Sequence, residues 1–512
     1  MKHFLARTAA VVLAAGLLAQ TPVLATDEKV DHYTQENAHR IMADFRDFLS
    51  MPNVAANTED MMVNARWIID YIRKRGFQGE IVSAGGAPYV IAEKQVPGAE
   101  KTVLIYAHFD GQPVAPENWA SPPFTPTLRD GMVEAGGDII EWPSGNESFN
   151  PEWRLFARSA GDDKAPVIAL MAAIDALEAA GTPPSVNIKL ILDGEEEAGS
   201  PTLGNILAQH GDKLTSDLLL FCDGPMHQSR QRQLVFGVRG AMTVHLTAFG
   251  PKRPLHSGHY GNWAPNPNDR LVHLLAKMKD EEARILVPGY HDDVQPITDA
   301  EREAIAALPR MDEALKEDLA LGDTDGEGKR LEELIMSPAI VIKGFEGGGT
   351  GPKSRNIIMP SATASLNLRL VPDQTPESVK SSLNAFFESE GYWVTNKQPD
   401  DSELRTHEKV LKVEWVPGGY GAFRSRLDSP TAKKLIRILD DIDDETTLLT
   451  PTMGGSLPIY LFEEALDAPI ILLPVANHDN NQHGRNENIR LQNLWDAIDV
   501  YAAILTQFGV GN

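Results

Sequence analysis

Side chains that bind metals or transfer protons follow four apolar runs of the sequence. The runs are residues 102–107, 187–192, 218–222 and 469–475, and each reads as a strand buried on both faces because it is continuously apolar. The side chains that follow them are His108 and Asp110, then Glu195, Glu196 and Glu197, then Asp223, and finally His483. Because ligands bind beyond the carboxyl ends of strands in an open parallel sheet, we expect these side chains to share one edge.

A second acidic pair, Asp162-Asp163, precedes an apolar helical stretch that begins at Val167. Carboxylates also favour helix N-termini through capping and the helix dipole, so this pair alone indicates little. Together with the strand ends it predicts a metal-bridging site, since five or six crowded carboxylates are stable only when cations neutralise them. Oxygen and imidazole ligands without thiolates favour zinc, or manganese or cobalt.

The elements that must position these side chains alternate between strands and helices. Helical stretches over residues 167–180 and 203–210 separate the first three apolar runs. This βαβ rhythm is typical of a mostly parallel sheet covered by helices. The sequence therefore predicts an α/β catalytic domain whose sheet carries the strand ends.

The middle of the chain has a different pattern. Residues 243–249 and 362–370 alternate apolar with polar side chains, as strands covered on one face do. The helical stretches expected there are residues 269–280, 299–321 and 376–390. We therefore predict that an α+β domain, residues 238–415, is inserted into the catalytic domain, whose two parts are residues 26–237 and 416–512.

Composition argues against several classes of protein. The chain of 512 residues has 47 Lys+Arg against 72 Asp+Glu and a formal net charge of -25. This balance argues against nucleic acid or an anionic membrane as a partner, since either attracts clustered basic residues. Its one cysteine, Cys222, permits no intrachain disulfide and no Cys-rich zinc site.

The first 25 residues have the organisation of an export signal. A basic segment with Lys2 and Arg7 precedes an apolar run, residues 8–18, and small residues then permit cleavage after Ala25. This run is shorter than the ~20 apolar residues that cross a bilayer, and no other stretch predicts a membrane span. An exported protein with one thiol does not depend on disulfides, which indicates a bacterial periplasm.

Taken in order, the motifs resemble the dinuclear metallopeptidases of the M20 family, and most closely the branch of carnosinase and the cytosolic non-specific dipeptidase. The resemblance covers nearly the whole mature chain and depends on the ordered set rather than on one piece. The pieces are His108-x-Asp110, Gly161-Asp162-Asp163-Lys164, Glu196-Glu197-x-Gly199-Ser200, Asp223, Leu255-His256-Ser257-Gly258, Asn356, Arg369-Leu370-Val371-Pro372, Gly454-Gly455-Ser456 and His483.

The resemblance implies a centre with two divalent metal ions, Zn²⁺ or else Mn²⁺ or Co²⁺. The implied ligands are His108 and Asp223 for one ion, Glu197 and His483 for the other, and Asp162 as the bridge between them. Asp110 would orient the imidazole of His108, and Glu196 would be the general base. The family also implies a cis peptide bond between Asp162 and Asp163.

The same resemblance assigns residues of the inserted domain to the substrate. Arg369 and Asn356 would hold the carboxylate end of the substrate, and Ser456 would contact it. His256 would stabilise the oxyanion from a partner subunit. The inserted domain would then be a ferredoxin-like lid through which the chain forms a homodimer.

Two other motifs each depart from their pattern at one residue. The segment 347–354 resembles a phosphate-binding P-loop, but Pro352 replaces a glycine and removes a backbone N–H that would bind phosphate. The segment 454–458 ends in Pro458 where the nucleophile elbow of serine hydrolases has glycine. Neither reading accounts for the acidic strand ends.

The sequence therefore predicts an exported metallopeptidase, of dipeptidase or carboxypeptidase type, that cleaves an amide next to a free carboxylate in short peptides. An amidase or deacylase of N-acyl amino acids would use the same metal site and stays open as an alternative. A non-catalytic peptide-binding protein is the alternative of another class, and the presence of every implied ligand and of Glu196 argues against it.

Overall fold

The structure, a computed structural model, describes residues 21–511. Contacts divide the chain into two units. The first is Met1–Gln233 with Ser429–Thr447 and Ala465–Asn512, and the second is Leu234–Asp428 with Leu448–Glu464. The predicted export signal, residues 1–25, lies outside the described residues apart from residues 21–25, which begin the helix Thr21–Leu49.

A mixed sheet forms the centre of the first unit. Six of its strands lie side by side, in the order Gln78–Val82, Tyr89–Lys94, Val186–Asp193, Lys101–His108, Leu218–Phe221 and Ile470–Leu472. The last four run parallel to one another, and the first two are antiparallel to their neighbours. The four parallel strands are almost wholly buried, as their continuous apolar sequences predict, and the expected α/β class is confirmed.

Helices cover this sheet. The most apolar of them, Ala165–Ala180, begins with Pro166 in its first turn and ends at Gly181 in the left-handed conformation (φ 69°), both favourable for a helix of this length. It packs against Thr21–Leu49 and Leu491–Gln507. The other helices of this unit are Thr58–Arg73, Leu203–His210 and Pro430–Asp440. Within residues 21–511, no helix combines the length and the apolar composition that crossing a membrane requires.

A small antiparallel sheet completes the first unit. Its strands are Asn488–Arg490, Arg154–Phe156 and Thr127–Arg129, in that order. The middle strand is wholly buried, and the loop that follows it leads into residues 157–164. This sheet therefore brings the C-terminal part of the chain next to the loop that carries Asp162.

The second unit is built on a five-stranded sheet. Its strands lie in the order Ala339–Glu346, Ser361–Leu370, Gly240–Phe249, Val410–Trp415 and Trp393–Thr395. Burial alternates along Ser361–Leu370, so one face of the sheet packs on the helices Pro267–Ala276 and Pro376–Ser389. The shorter elements of this unit include Leu255–His256, Ser257–Tyr260, Leu331–Ile335, Ile357–Ile358, Asp401–Thr406, Phe423–Arg424 and Ile459–Ala465.

The helical stretch predicted over residues 299–321 is not continuous, and the prediction is wrong in this respect. The structure has two helices there, Asp299–Ala307 and Asp312–Asp318. Leu308 adopts an extended conformation (φ -62°, ψ 142°) because the ring of Pro309 disfavours helical geometry in the preceding residue. The amphipathic pattern continues on both sides of the break, which explains the error.

Candidate metal centre

In the first unit, the predicted side chains lie at one edge of the sheet because they follow the carboxyl ends of parallel strands. His108 ends the strand Lys101–His108 and pairs with Asp193, the last residue of Val186–Asp193. Asp223 stands two residues beyond the end of the parallel neighbour Leu218–Phe221. Because the carboxyl ends of these strands lie level, His108, Asp223 and the turn after Asp193 meet at this edge.

Six side chains gather at this edge in two groups, in each of which the ligand-type atoms lie within 4.8 Å of one another. One group is His108, Glu196 and Asp223, and the other is Asp162, Glu197 and His483. Asp162 joins the groups, since its Oδ1 lies 2.8 Å from His108 Nε2 and its Oδ2 lies 3.4 Å from His483 Nε2. The peptide bond between Asp162 and Asp163 is cis, as the resemblance implies.

Asp110 holds the first group in place from behind. It is fully buried, and its Oδ1 lies 3.2 Å from His108 Nδ1, so the other ring nitrogen faces the cluster. The same carboxylate accepts the backbone N–H groups of Glu196 and Glu197, each at 3.0 Å. One side chain therefore fixes both the imidazole and the turn that presents the two glutamates.

Glu195, the first of three consecutive glutamates, points away from the cluster. Its carboxylate is 2% exposed and accepts hydrogen bonds from the Tyr89 hydroxyl at 2.9 Å and from the backbone N–H groups of Ala87 and Thr202 at 3.0 and 2.7 Å. These donors satisfy the oxygen atoms of a buried carboxyl group. Glu195 therefore anchors the turn through hydrogen bonds, whereas Glu196 and Glu197 face the cluster.

The second group is more open. The side chain of His483 is 56% exposed, and its Nε2 lies 3.2 Å from Glu197 Oε2. Two amides that the sequence reasoning missed donate to the carboxylates of this group. Gln112 Nε2 donates to Glu197 Oε2 at 2.7 Å, and Gln482 Nε2 donates to Asp162 Oδ2 at 3.3 Å.

The loop before Asp162 is fixed by Glu487, which the motifs also did not reveal. Glu487 is 1% exposed and accepts the backbone N–H groups of Ser159 and Asp162, each at 3.0 Å. Arg158 Nη1 donates to the same carboxylate at 2.6 Å. A segment near the C-terminus therefore sets the backbone position of a central carboxylate some 325 residues earlier.

Burial and crowding shift the charges of the cluster. Burial, reinforced by the charge of Asp162, raises the pKa values of Asp223 and Glu197 to about 7. Burial and then the charge of Asp223 raise the pKa of Glu196 well above its usual value. Burial alone disfavours the imidazolium form of His108, but hydrogen bonds to two carboxylates outweigh it and raise the pKa. Burial and neighbouring charges thus favour the protonated forms of Asp223, Glu196 and Glu197.

The donor set fits divalent metal ions. Asp223 Oδ2 is buried without a hydrogen-bond partner among the described residues, and it lies 3.8 Å from His108 Nε2. An orphaned buried carboxylate oxygen is costly unless a cation or donor satisfies it. The buried thiol of Cys222 faces the Leu220 carbonyl oxygen at 3.8 Å, so imidazole and carboxylate groups form the donor set. Such a set suits zinc, manganese or cobalt.

The four residues assigned to substrate lie in the second unit. Arg369 Nη1 donates to Ser456 Oγ at 2.7 Å. His256 and Asn356 are both exposed and are neighbours, because the backbone N–H of Ser257 donates to the Asn356 carbonyl oxygen at 3.0 Å. The structure therefore brings these residues together as two pairs.

A buried guanidinium that the sequence reasoning missed lies beside the first of these pairs. Arg239 is 8% exposed, and its Nη2 donates to the Ser337 carbonyl oxygen at 2.9 Å. Its Nε has no partner among the residues that the structure describes. Burial and the charge of Arg369 lower the pKa of Arg239 to about 10. Arg239 and Arg369 thus lie close enough to interact electrostatically, and two such guanidinium groups would stabilise a carboxylate.

A cluster of imidazoles and carboxylates at the carboxyl edge of a helix-covered α/β sheet is typical of metal-dependent enzymes. Residues 104–507 match the model of the peptidase family M20/M25/M40. The chain belongs to this family, and the resemblance found in its motifs is confirmed. It is therefore a metallopeptidase, a hydrolase that acts on peptide bonds.

Individual relatives resemble the chain over most of its length. It is 25% identical over 420 residues to the Cys-Gly metallodipeptidase dug1 of Schizosaccharomyces pombe, which covers 81% of each chain. It is 26% identical over 431 residues to the Beta-Ala-His dipeptidase of Homo sapiens, with 82% of this chain and 77% of that one covered. The crystal structure of the M20 family metallo-carboxypeptidase Sso-CP2 from Sulfolobus solfataricus matches with a TM-score of 0.72 and 26% identity, over 92% of this chain and 99% of that one.

Proposed function

We propose that this chain hydrolyses short peptides that end in a free carboxylate, as a dipeptidase or a carboxypeptidase, with two divalent metal ions. The observation that carries this proposal is the pair of groups joined by Asp162, the first of which includes Glu196. His108 and Asp223 would hold one ion and Glu197 and His483 the other. When bound, two such ions lower the pKa of a shared water and polarise the carbonyl under attack.

Glu196 is the group that moves the proton. Its backbone N–H is held by Asp110, so its carboxylate is presented at a fixed position beside Asp223. Burial and the charge of Asp223 raise its pKa in the metal-free chain, and a carboxylate positioned in this way can act as a general base. It takes a proton from the attacking water and gives it to the leaving amine, while the neighbouring Glu197 stays a ligand.

The second unit supplies groups suited to the substrate. Arg369 offers a guanidinium that matches a carboxylate in two hydrogen bonds, and its contact with Ser456 fixes the orientation. Asn356 would assist it at the carboxylate end, and the exposed imidazole of His256 would stabilise the oxyanion in a partner's site. The names of the relatives, two dipeptidases and a metallo-carboxypeptidase, support this substrate class.

The proposal is tested with purified protein and matched substrates. Dipeptides, the same dipeptides with an amidated C-terminus, N-acetyl amino acids and longer peptides are assayed before and after removal of metal by a chelator. We expect cleavage of free dipeptides that disappears on chelation and returns with Zn²⁺, Mn²⁺ or Co²⁺. Activity that survives complete metal removal would contradict the mechanism, and preference for N-acetyl amino acids would favour a deacylase.

Export to a bacterial periplasm is a second part of the proposal. The basic, apolar and small-residue segments of residues 1–25 support it. We expect protein recovered from the periplasmic fraction to begin after Ala25, as N-terminal sequencing measures. A chain that keeps Lys2 and Arg7 and stays in the cytosolic fraction would contradict export.

The proposed homodimer uses the edge of the sheet in the second unit. The strand Ala339–Glu346 lies at that edge and exposes Val341, Ile342 and Phe345 by 44–49%. Exposed apolar edge strands pair readily with another strand, which supports a dimer through this unit. Light scattering should give twice the chain mass, and Ile342→Lys should give monomers. A wild-type protein that is monomeric at all concentrations would contradict this part.

A further inference from the structure

Gln112 lies at the metal centre, but no motif assigns it a task. It follows the strand Lys101–His108 by four residues, and its side chain is half-buried. Its Nε2 donates to Glu197 Oε2 at 2.7 Å and lies 3.5 Å from the Glu197 carbonyl oxygen. One amide group thus holds the carboxylate and the backbone of the same residue.

The backbone that carries Gln112 is fixed on both sides of the strand end. The backbone N–H of Gly111 donates to the Asn53 carbonyl oxygen at 2.9 Å, and Asn53 Nδ2 donates to the Phe109 carbonyl oxygen at 2.7 Å. A Cβ atom at Gly111 would collide with Ser159 Oγ, so the segment packs directly on its neighbour. Hydrogen bonds and close packing therefore hold the backbone that carries the amide of Gln112.

We propose that Gln112 is a positioning residue that orients Glu197 for the second metal ion, and this inference rests on the proposed function. Among the contacts of Glu197, Oε2 receives the amide N–H and also lies 3.2 Å from His483 Nε2. An outer partner that fixes a ligand in this way typically sets metal affinity. The amide of Gln112 contacts Glu197 and acts through that residue.

The residue type at position 112 matters for a physical reason. A lysine or arginine there would pair with Glu197 and compete with a metal cation for the carboxylate. A glutamate would add another negative charge to a cluster that already holds Asp162, Glu196 and Asp223. A neutral amide donates a hydrogen bond and leaves the carboxylate charge available to the metal. Gln112 therefore orients its ligand without neutralising it.

The test is the affinity of each Zn²⁺ equivalent, measured by competition with a chromophoric chelator on the full chain. Gln112→Met removes the donor at similar length, and Gln112→Asn keeps the amide but withdraws it by one methylene group. We expect both variants to bind one of two equivalents about 10–100-fold more weakly and the other as the wild type does. The control Gln35→Met, on the exposed face of the helix Thr21–Leu49, should bind both equivalents normally.

A double variant identifies which equivalent is affected. His483→Ala should weaken the same equivalent, so Gln112→Met added to it should cause little further loss. Unchanged affinity for both equivalents in Gln112→Met would overturn the inference. Equal weakening of both equivalents together with a lower unfolding midpoint of the metal-free protein would also overturn it, because that pattern marks a structural role. If the wild type binds no Zn²⁺, the proposed function itself fails.

Discussion

The two ligand groups that share Asp162 are built in opposite ways. In the first, His108 is fully buried, and each ring nitrogen lies within 3.2 Å of a carboxylate oxygen. In the second, the side chain of His483 is 56% exposed, and neutral amides from Gln112 and Gln482 hold the carboxylates. The carboxylate of Asp110 thus supports the closed group from behind, whereas two amides support the open one.

The two groups therefore differ in what they contribute to the centre: one is part of the folded core, and the other is accessible from solvent. The buried group belongs to the core of the first unit, since His108 ends a central strand and Asp110 also fixes the following turn. Buried charges of this kind depend strongly on their partners. In the open group the imidazole of His483 is more than half exposed, so exchange of metal ions and entry of substrate are expected on that side.

The largest effect is expected when the closed group loses its imidazole. His108→Ala would remove the imidazole that contacts the buried carboxylates of Asp110 and Asp162. We expect the free energy of unfolding of the metal-free protein to fall by about 3–5 kcal/mol, as breaking a buried charge pair usually does. Denaturant titration measures it. A loss below about 1 kcal/mol would show that the closed group is not part of the core.

The pH dependence of the metal-free protein tests the crowding of carboxylates. Asp223 and Glu197 have pKa values of about 7 in the folded chain, above their ordinary values of 3.8 and 4.5. Between about pH 4 and 7 the folded state therefore binds more protons than the unfolded state, and the free energy of unfolding falls as pH rises. The raised pKa of His108 acts in the same direction.

Bound metal should reverse that dependence, because ligands bind cations only after losing their protons. Urea titrations of metal-free and Zn²⁺-loaded protein at about pH 5 and pH 8 compare the two. We expect the metal-free protein to be less stable at the higher pH and the loaded protein to be more stable there. Metal-free stability that rises with pH would contradict the cluster as described.

The smallest effect on stability is expected in the open group. His483→Ala removes an imidazole that is more than half exposed, so the free energy of unfolding of the metal-free protein should change by about 1 kcal/mol or less. The same variant should lose one of two Zn²⁺ equivalents, as metal analysis after dialysis shows. A stability loss as large as that of His108→Ala would remove the contrast between the two groups.

The strand ends could be predicted because their signal is local. Each continuous apolar run stops at a polar side chain, so His108 and Asp223 could be located from a few neighbouring residues. Parallel pairing then places them together without further information. The break at Pro309 was also visible locally, but the amphipathic pattern on either side outweighed it in the prediction.

The supporting residues could not be predicted because their partners are distant in sequence. Gln112 contacts Glu197 across 85 residues, and Glu487 contacts Asp162 across 325. Neither has a spacing that differs from that of an ordinary loop residue. Arg239 is similar, since its proximity to Arg369 depends on the pairing of Ala241 with Arg369 between two strands. Tertiary structure alone reveals these contacts.

The metal content and turnover of Glu196→Gln test the central claim most directly. The amide keeps the size of the side chain but takes no proton from water, and Glu196 is proposed as base rather than ligand. We expect two metal equivalents, as in the wild type, and a kcat lower by about 10²–10⁴-fold with little change in KM. Turnover close to that of the wild type, or loss of a metal equivalent, would contradict the assignment of Glu196.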